Sequence, residues 1–178
     1  MSSSGDILNT LSRKPNVEVE IIFLPILKDV DKLSCLNICN RAAGMLTELQ
    51  SSRTHDVCFK DGIRFGEQGW VEKRKLFTDE VIINNAWILR TNVKTEIAVD
   101  NPRDYNYLQR RVKKRRSFHL PRENSVWRFD ITSVTTYKKG YGTKSNELEA
   151  ELMSFNDSAN IYTEMKDLVE FITGKLLN

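Results

Sequence analysis

The chain has few of the residues that build metal centres from nitrogen and sulfur. It has 178 residues but only two histidines and three cysteines. His55 and His119 are too few and too dispersed for a zinc site, and Cys35, Cys39 and Cys58 match no zinc signature. The cysteines are therefore predicted to serve as small apolar core residues. An odd cysteine count without a recognisable signal peptide favours a reducing, intracellular compartment.

Long hydrophobic runs are also absent. No apolar stretch approaches the roughly 18 residues of a membrane-spanning helix, so no membrane partner is expected. Charged residues make up 29% of the chain and hydrophobic residues 40%, which is ordinary for a globular protein. The length fits one domain over residues 1–178, preceded by a flexible polar tail at residues 1–14.

What the chain does have is acidic alternation near both of its ends. NVEVEIIFLP contains Glu18 and Glu20, and NELEAELMSF contains Glu147, Glu149 and Glu151. Alternate residues of a strand share one face, so all five carboxylates could line one side of two strands. Packed carboxylates repel one another unless a cation neutralises them, and oxygen ligands suit Mg²⁺ or Mn²⁺. A solvated glutamate face is the alternative, and the second segment could also be helical.

The remaining pattern is one of short alternating runs between two helical segments. A strand is predicted over 17–24, and a helix over 29–50 with Asp29 or Asp31 as its N-cap. A C-terminal helix is predicted over 158–177. The intervening strands are expected at 56–60, 62–66, 69–77, 80–84, 86–99, 107–120, 125–138 and 146–155. Serial short strands of this kind are typical of an antiparallel sheet or barrel.

The segment RRVKKRRSFHL places Arg111, Lys113 and Arg115 on one strand face. A solvated basic edge strand, a nuclear-localisation signal and a nucleic-acid patch are all compatible with such a run.

The following segment, SVWRFDITSV, is a natural hairpin partner for this basic strand. Its polar face carries Arg128, Asp130 and Thr132, and Asp130 could orient Arg115 or Lys113 through charge-assisted hydrogen bonds.

An earlier strand shows the same separation of faces. Within AWILRTNVKTEIAV, the residues Arg90, Asn92, Lys94 and Glu96 share one face. A small barrel satisfies all these strands if helices cover the apolar faces and the charged faces line a lumen. A flat sheet with its charges in water is the competing arrangement.

The order of these motifs resembles the triphosphate tunnel metalloenzymes. It is similar, in particular, to the metal-dependent RNA 5′-triphosphatases of mRNA capping in fungi, microsporidia and large DNA viruses. The resemblance runs from Val17 to Phe155 and implies an α+β fold: an eight-stranded antiparallel β-barrel with flanking helices. The thiamine-triphosphatase and adenylate-cyclase branch begins E-x-E-x-K, and Ile22 in the fifth position disfavours it.

The resemblance also implies site residues. Those resembling metal ligands are Glu18, Glu20 and Glu151. Those resembling catalytic residues are Glu96, Lys113, Arg115, Asp130, Glu147 and Glu149. Those resembling phosphate-binding residues are Arg64, Lys75, Arg90, Lys113, Arg115 and Thr132, with Arg53, Lys73 or Arg74 as replacements for Arg64 or Lys75.

The implied activity is removal of the γ-phosphate from 5′-triphosphate RNA, the first step of cap formation, with Mg²⁺ or Mn²⁺ as cofactor. Hydrolysis of nucleoside triphosphates is implied as a side activity, and an mRNA guanylyltransferase as a partner. A nucleus and a viral factory are both compatible locations. The alternatives are a tunnel hydrolase of free nucleotides or inorganic tripolyphosphate, and a non-catalytic basic barrel that binds RNA.

Overall fold

The computed structural model describes residues 3–27, 30–101 and 107–178. Within these ranges, three α-helices and nine strands follow one another. They are α1 (Ser4–Leu11), β1 (Val17–Pro25), α2 (Lys32–Met45), β2 (Thr47–Glu48), β3 (Ser52–Phe59), β4 (Ile63–Gly66), β5 (Gly69–Ile83), β6 (Trp87–Ala98), β7 (Tyr107–Pro121), β8 (Ser125–Lys138), β9 (Tyr141–Phe155) and α3 (Ile161–Phe171), with a short π-helix after α3 over Ile172–Leu176.

Eight of the strands close into an antiparallel barrel. Their order around the wall is β7-β3-β4-β5-β6-β1-β9-β8, and β8 pairs back with β7. Among the described strands, the short β2 pairs with β7 alone and stands outside the ring. The predicted α+β barrel with flanking helices is confirmed.

The strand residues alternate between a charged lumen and an apolar exterior. On β1, Val19, Ile21 and Phe23 are almost fully buried and belong to the same core cluster as Ile38 of α2 and Leu168 of α3. The core therefore lies between the barrel wall and the helices. The intervening residues of β1 face the lumen, as expected for a strand with a side-chain period of two.

The chain near its start differs from the predicted flexible tail. Residues 4–11 form α1, whose capping box joins the Ser3 hydroxyl to the Asp6 amide and the Asp6 carboxylate to the Ser3 amide. Leu8 is only 1% exposed and belongs to the core. The polar segment MSSSGD predicts a tail, but its Ser3 and Asp6 form a capping box that starts a helix, and Leu8 packs that helix into the core.

Helix α2 and strand β5 also differ from their predicted limits. Helix α2 is shorter than the predicted range, and Asp31 is its N-cap, accepting a 2.7 Å hydrogen bond from the Ser34 amide; Asp29 lies outside the described residues. The two strands predicted at 69–77 and 80–84 are one strand. Its register shifts between Lys75 and Phe77, and this bulge breaks the alternation that the prediction depended on.

No helix in the described ranges is long and apolar enough to cross a membrane.

Two glycines provide a matched test of the backbone. Gly62, after β3, has φ +75°, and a Cβ there would collide with the Lys73 carbonyl oxygen. Gly44, near the end of α2, would place a Cβ in open space. We expect Gly62→Ala to lower the free energy of unfolding by about 1 to 3 kcal/mol, and Gly44→Ala to leave it unchanged or raise it by up to about 1 kcal/mol. Urea unfolding curves measure both, and equal midpoints for the two variants would contradict the described β3–β4 turn.

Candidate active site

The strand register brings the five glutamates to one lumen. Strands β1 and β9 are neighbours, with Glu20 opposite Glu151 and Ile22 opposite Glu149. Glu18 on β1 and Glu147 on β9 share the same faces, since each lies two residues from a lumen position. The alternation predicted from sequence thus produces a carboxylate-lined wall from the first and last strands.

Two of these glutamates are held by cations from neighbouring strands. Lys94 of β6 forms an ion pair with Glu20, whose Oε1 also accepts a 3.1 Å hydrogen bond from Asn92. Arg128 of β8 donates through Nη2 to Glu151 over 2.6 Å. Both pairs are mostly buried, so the charges are shielded from water.

A third cation bridges two carboxylates. The Lys73 ammonium lies 2.9 Å from Glu18 Oε2 and 2.5 Å from Glu96 Oε2. Burial and the neighbouring Glu96 carboxyl raise the pKa of Glu18, although the Lys73 charge opposes them. Burial would raise the pKa of Glu96 too, but hydrogen bonds with Glu18 and Lys73 and the charge of Arg64 lower it overall. Glu18 is therefore the member of the pair that holds a proton more readily.

The basic strand β7 lines the lumen on the other side of β8 from β9. Arg111 makes a bidentate pair with Asp56 of β3, at 3.1 and 2.8 Å. Lys113 has no hydrogen bond or ion pair within the described residues. Burial and the charge of Arg111 lower the pKa of Lys113, against the pull of Glu147 and Glu149. An enclosed, unpaired ammonium of this kind is stabilised by an anion.

Asp130 is the buried anchor of the β7–β8 hairpin. It is 1% exposed and accepts hydrogen bonds from the Ser117 hydroxyl at 2.6 Å and from Arg128 Nε at 2.9 Å. Arg115 Nε lies 3.5 Å from its other oxygen. The predicted pairing of Asp130 with Arg115 is present, but Arg128 and Ser117 make the shorter contacts.

Next to Asp130 are two buried polar atoms without hydrogen-bond partners. Arg115 and Thr132 stand opposite each other on β7 and β8. Arg115 Nε and Thr132 Oγ1 are both buried and make no hydrogen bond in the described structure. Unsatisfied buried donors are unfavourable, so this pair marks a place where a ligand oxygen would be stabilised.

Glu149 carries the largest electrostatic perturbation among the lumen acids. Burial, together with the charges of Glu147 and Glu20, raises its pKa to about 7. Lys113 and Arg115 act in the opposite direction without cancelling the effect. Burial also raises the pKa of Glu151, and Glu18 adds to that rise. Burial is the largest cause for both residues, so the raised pKa values follow mainly from the loss of water around these carboxyls.

The phosphate-binding residues Arg64, Lys75 and Arg90, predicted from the sequence, differ in how far they are enclosed by the lumen. Arg64 faces the lumen, where its charge lowers the pKa values of Asp56 and Glu96. Lys75 pairs in register with Lys94 but is exposed. Arg90 is bound to Glu80 over 2.6 Å and is 40% exposed. These two are less enclosed than Arg64.

Of the three replacements considered for Arg64 and Lys75, only Lys73 contacts the acidic cluster. Arg74 is 74% exposed and pairs with Glu72, and Arg53 faces the barrel exterior. Sequence reasoning underrated Lys73 because the β5 bulge obscured which residues of that strand face inward.

Other lumen residues were not selected from the sequence as site residues. Lys94 and Arg128 were placed on the polar strand faces without an assigned role, and Asp56 was not identified at all. Strand alternation was the available signal for Lys94 and Arg128. Asp56 could be found only through its register with Arg111 on β7.

The lumen fits a hard divalent cation by donor chemistry. No three His, Cys, Asp or Glu side chains in the described ranges are close enough together to share a metal ion. The donors are nevertheless half-buried carboxylates that raise one another's pKa values. Glu18, Glu20 and Glu151 are neutralised by Lys73, Lys94 and Arg128. A metal ion would compete with these side-chain cations for the same oxygens.

The raised pKa of Glu149 predicts a dependence of stability on pH. Its pKa is about 7 in the fold against 4.5 for a free glutamate, so its contribution to stability is complete below pH 4.5 and is lost as the pH rises through 7. In EDTA, Glu149→Gln should raise the free energy of unfolding at pH 8 by up to roughly 3 kcal/mol, with the gain vanishing towards pH 4.5. Glu67→Gln, at an exposed turn, is the control. Equal effects of the two substitutions across this range would contradict the assigned environment of Glu149.

Comparison with known proteins gives a result only at the level of structure. No family model matches the chain. No curated protein matches it either.

Solved structures share the fold across nearly the whole chain. The S. pombe Pct1 RNA triphosphatase is similar with a TM-score of 0.72 and 15% identity, covering 99% of this chain and 94% of that one. A second structure of that protein, in complex with the Spt5 CTD, gives 0.68 and 14%, covering 99% and 95%. The RNA triphosphatase domain of the mimivirus mRNA capping enzyme gives 0.62 and 18%, covering 97% and 98%. This chain therefore has the tunnel fold of these RNA triphosphatases.

Proposed function

We propose that this protein is a divalent-metal-dependent RNA 5′-triphosphatase that removes the γ-phosphate from 5′-triphosphate RNA as the first step of mRNA cap formation. The proposal rests above all on one observation. The same lumen holds five glutamates and, beside them, the unpaired Lys113 with the unsatisfied Arg115 Nε and Thr132 Oγ1. Such a combination fits a polyanion bound together with a metal ion.

Glu18, Glu20 and Glu151 would hold Mg²⁺ or Mn²⁺, as all three are lumen carboxylates on the paired strands β1 and β9. Bound there, the ion would supply Lewis-acid polarisation of the substrate phosphoryl group.

The cationic side chains would bind and orient the phosphates. Lys113 and Arg115 are candidates for the γ- and β-phosphoryl oxygens because they face the carboxylate wall with donors to spare. Arg64 and Arg90 extend this positive lining. Phosphoryl transfer depends mainly on positioning and charge stabilisation, which such a lining provides.

Glu149 is the candidate general base. Its pKa of about 7 suits a group that accepts a proton near neutral pH. The oxygen of a water molecule would form a bond to the γ-phosphorus while the bond to the β-phosphate oxygen breaks. The water proton passes to Glu149, and the products are inorganic phosphate and a 5′-diphosphate RNA end. That end is the acceptor for guanylyl transfer, which is the basis for proposing a guanylyltransferase partner.

The same lumen would accept a free nucleoside triphosphate or inorganic tripolyphosphate, since its contacts are to phosphates. A non-catalytic RNA-binding barrel is disfavoured because it gives no reason to gather five half-buried glutamates beside a polyanion site. Relative kcat/KM values for triphosphate RNA, free nucleotide and tripolyphosphate decide the preferred substrate.

The first functional test is phosphate release from γ-labelled triphosphate RNA. We expect release with Mn²⁺ or Mg²⁺, none in EDTA, and a loss of about a hundredfold or more in Glu149→Ala and Glu18→Ala. The exposed Glu67→Ala should match wild type. If folded wild-type protein releases no phosphate with either metal, the proposed activity is wrong. If Glu149→Ala is fully active, the base is misassigned.

Substitution of two adjacent lysines tests which face of strand β7 points into the lumen. Lys113 points into the lumen, whereas Lys114 points to the exterior. Lys113→Ala should lower kcat/KM by about tenfold or more, which corresponds to at least about 1.4 kcal/mol of transition-state stabilisation. Lys114→Ala should leave kcat/KM unchanged. The reverse outcome would mean that the strand faces the other way.

A further inference from the structure

The barrel exterior carries a second concave surface, separate from the lumen. It is a groove of about 1140 Å³ between α2 and the outer faces of β3, β7, β8 and β9. We call it the basic groove, because its lining includes Lys32, Arg53, Lys114, Arg116 and Lys144.

The charge of the basic groove is of one sign. No aspartate or glutamate is among the described residues that line it. Arg116 is engaged in a bidentate pair with Glu48, at 2.7 and 3.0 Å. Arg115 also borders the groove, but it is half-buried and paired with Asp130. Lys32, Arg53, Lys114 and Lys144 are exposed and have no ion pair within the described part of the chain. Four unpaired positive charges around one concave surface create a field that attracts an acidic ligand.

Between the cations is an apolar surface supplied partly by α2. Leu33 and Leu36 are 67% and 52% exposed although they line the groove. They lie three residues apart and so share one helix face. The buried Cys35 and Cys39, together with Val112 and Ile131 of the barrel wall, add to the apolar lining. Exposed leucines beside a concave apolar surface are typical of an interaction site.

The groove lining argues against a nucleic acid as its ligand. Single-stranded RNA is usually held by aromatic side chains on which its bases stack, and no aromatic residue is among the described residues that line the groove. Leucines surrounded by cations instead match a peptide that presents apolar and acidic side chains together.

We propose that the basic groove docks an acidic segment of a partner protein. Large apolar side chains of that segment pack against Leu33 and Leu36, and its carboxylates pair with Lys32, Arg53, Lys114 and Lys144. The segment binds outside the barrel, so it leaves the lumen open to substrate.

The test uses a fluorescein-labelled peptide of about twelve residues that alternates Glu with Leu, a length that spans such a groove. Fluorescence anisotropy with the full chain should show saturable binding that weakens with added salt. Peptides with Leu replaced by Ser, or Glu replaced by Lys, should bind at least about tenfold more weakly.

Paired variants locate the binding surface. Lys114→Glu with Lys144→Glu, and separately Leu33→Ser with Leu36→Ser, should each weaken binding by about tenfold or more. Lys60→Glu with Lys175→Glu makes the same change in net charge at exposed positions away from the groove, and should bind as wild type does.

Three outcomes would overturn the docking proposal. They are no binding of the Glu–Leu peptide, equal weakening by the groove and control charge variants, and tighter binding of a 5′-hydroxyl oligouridine that the groove variants abolish. The last outcome would make the groove a nucleic-acid surface. Triphosphate hydrolysis is measured on the same proteins, and the groove variants should retain it. Absent hydrolysis with intact peptide binding would refute the proposed enzyme and leave the docking site standing.

Discussion

The rest of this structure depends on how the barrel neutralises the mutual repulsion of five carboxylates in its lumen. Glu18, Glu20, Glu147, Glu149 and Glu151 lie on two adjacent strands that face inward. Charges partly removed from water are unfavourable unless they are paired, and the side chains of Glu18, Glu20 and Glu151 are only 26%, 17% and 28% exposed. The cations of β5, β6, β7 and β8 are therefore a structural requirement as well as a chemical resource.

Those cations divide into two groups with different consequences. Lys73, Lys94 and Arg128 contact the glutamates directly, and they stabilise the wall. Lys113 and the Nε atom of Arg115 lack hydrogen-bond partners in the described structure. Their positive charge is therefore available to bind an anionic ligand. If every donor in the site were paired within the protein, none would remain for a ligand. Here unpaired donors remain near Glu149, the acid whose pKa is raised to about 7.

Much of this arrangement follows from strand alternation alone. The facing of Glu18, Glu149, Lys113 and Asp130 could be predicted because the strands alternate regularly around these residues. The register shifts in the β3–β7 and β8–β9 ladders lie near the ends of those strands. Alternation fails where the backbone is irregular. The bulge in β5 concealed Lys73, and pairing between distant strands was needed to join Asp56 to Arg111. Which cation binds which glutamate also depends on side-chain conformation, on which the sequence pattern carries no information.

The pairing of β1 with β9 has a consequence for how the protein folds. These strands come from opposite ends of the chain, and they are joined over only the short ladder from Glu20–Glu151 to Ile22–Glu149. Contacts between residues so far apart in sequence are formed slowly, because the loop they close is long. The hairpins β5–β6, β7–β8 and β8–β9 are local and can form early. Closure of the ring is then the step that brings the carboxylates of β1 and β9 together. A nascent or shortened chain without β9 would hold most of the sheet and the Glu18–Lys73–Glu96 contacts, but it would lack Glu147, Glu149 and Glu151.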